Sequence, residues 1–197
     1  QSTDSPSNNF STLNPLDVNP SSAGDVFSDG SLTLATNSNS NAAGTRSTMA
    51  VSSGKWYAEV KYVSTTAWNG VAAMDVNFLT SSMGAGTIAW YQGRTLYVNG
   101  SNITTWGSAV SAGDIVGIAL DMDNSRVTIS QGGQWWGGSS FNQAQPHTFQ
   151  ALISGYDTWT FLCASGSGTS TSEWNFGSPP YAISSGNTDG DGYGNFE

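Results

Sequence analysis

Between residues 111 and 133 two apolar runs flank a polar turn. Ile115, Val116, Ile118, Ala119 and Leu120 leave almost no polar position, the pattern of a strand covered on both faces. Val127 and Ile129 then alternate with Thr128 and Ser130, the pattern of a strand with one face toward water. Asp121, Asp123 and Asn124 lie between the runs, and such residues tolerate the left-handed conformations of a tight turn. The segment reads as a β-hairpin launched by Gly113-Asp114, with pairing expected to end at Gly132-Gly133. Register places Ile115, Ile118, Leu120, Val127 and Ile129 between two sheets.

The remaining chain repeats this alternation in short pieces. Residues 26–34 read as a hairpin turning at Asp29-Gly30. Along 55–63, Trp56, Ala58, Val60 and Tyr62 share one face, and Tyr57, Glu59 and Lys61 share the other. Further strands are expected at 48–51, 70–78, 87–91, 95–98, 103–106, 148–153, 158–164 and 173–176. Gly93-Arg94 and Asn99-Gly100 are turn signals. Polar stretches at 17–24, 36–44, 81–86, 134–147 and 166–172 read as loops, and 1–7 as a tail. No segment carries a helical period or a fixed repeat. About eleven to fourteen short strands without helices imply an all-β chain, a two-sheet antiparallel β-sandwich.

Composition narrows the function. The chain has 197 residues, which suits one domain able to bury a core without disulfides. Its single cysteine, Cys163, follows Phe161-Leu162 and reads as a small buried hydrophobe. Five Lys and Arg against fourteen Asp and Glu give a net charge of -9, too few cations for a nucleic-acid groove or an anionic lipid surface. No apolar stretch approaches the roughly 18 residues of a membrane span, so no membrane insertion is expected. The sequence opens on Gln1, as expected of a processed product or an excised segment.

Four segments carry a resemblance. Gly-Asp-Ile-Val-Gly-Ile-Ala-Leu-Asp-Met-Asp (113–123) is similar to the core hairpin of SPRY (B30.2) domains. Gly54-Lys55-Trp56-Tyr57-Ala58-Glu59-Val60 resembles their early strand, G-K-x-Y-x-E-V. Residues 90–100 resemble the central strand and turn, and Asn175-Phe176-Gly177 the closing strand. The flanks at 8–16 and 189–196 look like those around SPRY domains of bacteriophage virion proteins. The resemblance implies a concanavalin A-like jelly roll of SPRY topology over 51–177. It also implies an N-terminal arm and first strands over 1–50 and a Gly/Asp-rich tail over 178–197. Loops at one edge, near Trp68, Asn69, 82–86, Tyr91, Tyr156 and Asp157, are where the resemblance puts a peptide ligand; Arg94 reads as structural.

Candidate chemistry is sparse. A glycosidase on this architecture needs two carboxylates about 5 to 10 Å apart. Glu59, Glu173 and Glu197 have no such spacing, and Asp121 with Asp123 read as turn residues that share a strand face. His147 is the sole histidine and no G-x-S-x-G surrounds a serine, so neither a Ser-His-Asp triad nor an N/S zinc site is expected. Asn187, Asp189 and Asp191 alternate ahead of Gly192 like the start of a calcium loop, although the bidentate Glu of a twelfth position is missing. Trp135 and Trp136 must point to opposite faces of a strand, which leaves one to pack under a loop or to stack on a ligand. The expectation is a non-enzymatic virion or extracellular module. Its partners would be other virion or assembly proteins, a host-surface glycan or a host protein. The alternatives are a carbohydrate-active enzyme and a purely structural assembly unit.

Overall fold

The computed structural model describes residues 9–19, 22, 24–37, 44–76, 83–105, 108–137, 141–143, 149–166 and 168–197. Sixteen strands and no α-helix occur among them. In chain order the first eight are β1 (Leu13–Val18), β2 (Val26–Ser28), β3 (Thr33–Ala35), β4 (Gly44–Ser47), β5 (Lys55–Tyr62), β6 (Ala67–Ala73), β7 (Thr87–Tyr91) and β8 (Thr95–Val98). Then come β9 (Ser101–Thr105), β10 (Ile115–Asp121), β11 (Arg126–Gln131), β12 (Gln134–Trp136), β13 (Phe141–Gln143), β14 (Gln150–Ala151), β15 (Trp159–Ser165) and β16 (Thr171–Asn175). They form two antiparallel sheets. One runs β1-β4-β15-β6-β7-β8-β9; the other runs β13-β12-β11-β10-β5-β16-β3-β2, with β14 also on β11.

The expected hairpin is β10–β11, with Ile118 opposite Ile129 and Leu120 opposite Val127. β10 is a central strand, paired on its other side with β5, where Ile118 faces Ala58. Ile118, Leu120, Val127 and Ile129 are buried, and Ile115 at the strand's start is half-buried. Ile118, Leu120, Val127 and Ile129 join one core with Val71, Ile88, Trp90 and Leu96 of the facing sheet; Ile115 does not, because the period of two puts it with Gly117 on the opposite face of β10. Cys163 is buried there too, and burial pushes its thiol up to about 12.

Several sequence expectations are corrected. Gly132-Gly133 does not end the pairing. Both residues have positive φ, and the turn they make sends the chain back as β12, inside what reads as a loop. Thr128 and Ser130 do not face water: Thr128 is fully buried and Ser130 nearly so. The strand expected at 48–51 lies earlier, at β4, and β1 extends the arm into 13–18. There Leu13 is buried and Leu16 is 95% exposed, on an edge strand that tolerates Pro15 because no partner needs its missing N–H. Arg46 fixes this edge. Its guanidinium donates to both Asp17 carboxylate oxygens, at 2.6 and 3.0 Å, and to the Ala73 and Met74 carbonyls. Asp123 does not share a strand face with Asp121, because β10 ends at Asp121. His147, residues 1–8 and 38–43, Ser82, Trp106 and the last residues of the expected 70–78 strand lie outside the described residues.

Candidate binding site

The outer face of the nine-stranded sheet carries one row of facing residues across five strands. Trp135 faces Ser130, Ser130 faces Gly117, Gly117 faces Glu59, and Glu59 faces Asn175. Gly117 is required in that row. A Cβ there would collide with the Tyr57 hydroxyl and with Ser130 Oγ, so the missing side chain is what lets Tyr57 lie down over β10. Tyr57 then donates to Glu59 Oε1 at 3.1 Å.

Glu59 is a buried carboxylate. Asn175 Nδ2 donates to it at 2.9 Å and the Glu197 backbone N–H at 3.0 Å. Burial raises its pKa above the ordinary carboxylate range, and the three hydrogen bonds only partly oppose this. Burial also pushes up the Tyr57 phenol, and the neighbouring Glu59 charge adds to the rise.

The C-terminal segment lies across this row. Asn187 and Phe196 form an antiparallel bridge, exchanging N–H···O bonds of 2.9 and 2.8 Å. Asp189 Oδ1 closes the loop between them by accepting the N–H groups of Asp191 and Tyr193. Phe196 is buried edge-on against Tyr57, ring centroids 5.4 Å apart. The Asn195 carbonyl accepts from Asn175 Nδ2, and its N–H donates to the Gly177 carbonyl.

A cleft opens on each side of this strap. The larger, about 1060 Å³, lies between the strap, Phe10 and the end of the sandwich at Trp159. Met49, Lys55, Trp56, Asp189, Asp191 and Tyr193 line it. Trp56 is 45% exposed and Tyr193 49%. The Trp56 indole N–H donates to the Ser53 carbonyl at 2.8 Å, which favours one orientation of the ring. The smaller, about 660 Å³, lies over Gly117, between Trp135, Asp114 and Glu197.

No family model and no curated protein matches this sequence. Solved structures do. The chain is similar to the SPRY domain of human HERC1, with a TM-score of 0.63 at 13% identity over 86% of this chain and 99% of that one. It is also similar to the TRIM65 PSpry domain, with a TM-score of 0.55 at 15% identity over 84% and 91% of the two chains. The fold is that of a SPRY domain.

On this SPRY fold the seven expected ligand residues do not form one site. Trp68 lies on the outer face of the seven-stranded sheet, buried against Tyr91 and Tyr97 at 4.9 and 4.2 Å between centroids. Asn69, one residue on, points into the core and is buried. Trp136 is also in the core, edge-on to Trp90 at 6.3 Å. Trp68, Asn69 and Trp136 are thus buried side chains. Tyr91 is half-buried; Tyr156 packs edge-on to Trp159; Asp157 is exposed. Trp135 points outward, as the alternation requires, and leans on Tyr57 at 6.5 Å.

The acidic candidates serve turns. Asp121 accepts from Asn124 and from Arg126 Nε at 3.1 Å. Burial alone would raise its pKa, but these hydrogen bonds outweigh it and hold the carboxyl below its ordinary value. Asp123 Oδ1 accepts the Gly54 N–H at 2.7 Å. Asn187 and Asp189 are engaged in the strap as described, and no group of three His, Cys, Asp or Glu able to hold a metal occurs among the described residues. Among the described residues there is no helix long and apolar enough to cross a membrane.

The sequence reading missed Trp56 and Tyr193. Period two puts Trp56 on the inward face with Ala58 and Val60, and it does sit on that face. It occupies the second position of β5, at the end of the sandwich, where the covering runs out. Ser52-Ser53-Gly54 just ahead of it was the available signal that the strand, and its cover, begin there.

Proposed function

We propose that this chain is a non-enzymatic binding module of a virus particle, of the bacteriophage kind. In this reading it holds another protein of the particle, a host protein or a host-surface glycan, and it works in the virion or outside the cell without a cofactor. The observation that carries it is the larger cleft. A sandwich presents the half-exposed rings of Trp56 and Tyr193 there, while Asp121 and Asp123, the carboxylates weighed for hydrolysis, are engaged in turns. The SPRY fold supports a binding role, and the flanking segments at 8–16 and 189–196 support the particle. A carbohydrate-active enzyme would need an acid/base pair across the scissile bond. Purified chain incubated with polysaccharides should release no reducing ends. Release that disappears in Asp121→Asn or Asp123→Asn would overturn the reading in favour of the enzyme. Light scattering and negative-stain microscopy of the chain alone distinguish a binding module from an assembly unit; spontaneous ordered assemblies would favour the latter.

A further inference from the structure

We infer that the larger cleft takes a neutral oligosaccharide, with the Trp56 indole as its stacking platform, an assignment that rests on the glycan branch of the proposed function. The argument starts from Trp56. An indole exposed to 45% leaves apolar area in water, and such a ring ordinarily moves between rotamers. Here the N–H bond to the Ser53 carbonyl favours one orientation, which lowers the ordering cost of stacking a ligand on its flat apolar face. Tyr193, 49% exposed, lines the same cleft from the strap, and Met49 and Phe10 extend its apolar lining.

The charges decide the ligand class. Four charged residues line the cleft: Lys55, Asp189, Asp191 and Glu197. Asp189 already accepts two backbone N–H groups, and Glu197 accepts those of Ser184 and Ser185. These bonds come from neutral donors and leave both carboxylates charged, so three acidic groups and the Lys55 ammonium face the cleft, a lining rich in acceptors for hydroxyl donors. A polyanion meets a chain of net charge -9 and a single cation. A wholly apolar segment would bury Asp191 and Lys55 without partners. A pyranose chain satisfies both features: its C–H faces stack on aromatic rings, and its hydroxyls donate to the Asp191 carboxylate and accept from the Lys55 ammonium. A cleft of about 1060 Å³ has room for several sugar rings.

The test uses the full chain on a printed array of neutral glycans, followed by calorimetry and ¹⁵N-indole NMR with the best hexasaccharide. A sulfated hexasaccharide and hexalysine are the charged controls. Expected are saturable binding, a shift of the Trp56 indole signal, a loss of affinity of at least tenfold in Trp56→Ala, and at least threefold losses in Tyr193→Ala and Asp191→Asn. Ile103→Ala, at an exposed position of β9 far from the cleft, should stay within twofold. Thermal melts check that each variant is folded. Binding retained in folded Trp56→Ala overturns the cleft but leaves the glycan branch standing. Absence of binding across the array overturns both, while binding of a protein partner would still stand. Binding of the sulfated sugar or hexalysine alone overturns the neutral class.

Discussion

The two faces of the nine-stranded sheet are built from the same strands and solve opposite problems. On the inner face, Ile118, Leu120, Val127 and Ile129 meet the facing sheet through apolar contact alone. Any side chain of similar volume and shape would serve there approximately. The outer face is buried just as well at its centre, but with Ser130, Thr128, Glu59 and Asn175. Burial of such groups requires partners, and a segment from the far end of the chain supplies them: the Glu197 N–H for Glu59 and the Asn195 carbonyl for Asn175. The inner face is therefore specified by volume, the outer face by hydrogen-bond accounting. The strap that completes that accounting also makes one wall of the candidate cleft.

Breaking the inner face should have the largest effect. Ile118→Ala should destabilise the fold by about 2 to 5 kcal/mol in denaturant melts, the range for emptying a packed aliphatic site. On the outer face, Gly117→Ala drives a methyl group into the Tyr57 hydroxyl and Ser130 Oγ. Overpacking of this kind costs about 1 to 3 kcal/mol. Limited proteolysis should find the strap more readily cut in that variant than in Ile118→Ala at matched stability; equal cutting would mean that Tyr57 and the strap are not coupled.

Two carboxylates of the outer face should also separate by pH. Glu59 has a folded pKa above its unfolded value, so between the two the folded state binds more protons. Its contribution is therefore greatest toward the lower, unfolded value and is lost as pH rises through the folded one. Glu59→Gln should flatten that slope. Asp121, held below its ordinary value, works in the other direction: its contribution is present above that value and lost as pH falls through the depressed one. Urea melts on the wild type and on Glu59→Gln and Asp121→Asn across the acid range would read both signs, and identical profiles in all three would refute the assignment. The smallest effect is expected at an exposed edge: Asn102→Ala on β9 should change stability by no more than about 0.5 kcal/mol.

Local pattern alone determined the β-sandwich, the central hairpin with Ile118, Leu120, Val127 and Ile129 on its inner face, and the turn at Asp29-Gly30. Each rests on a period of two or on a residue tolerant of positive φ, and both properties are written within a few neighbouring positions. It also placed Trp135 and Trp136 on opposite faces. Only the tertiary structure decided which face of a strand ends up dry. Thr128 and Ser130 look solvent-facing because polarity is read residue by residue, whereas their cover comes from elsewhere in the chain. Trp68 and Asn69 looked like loop residues at a ligand edge, yet β6 sits between β15 and β7 and is covered on both sides. Trp56 looked inward and is half in water, because burial depends on how far the opposite sheet extends, a length that no local period encodes. The candidate cleft is the sum of such non-local facts. Residues near 10, 50, 56, 159 and 190 meet there only after two sheets have packed and the strap has found the Glu59 carboxylate.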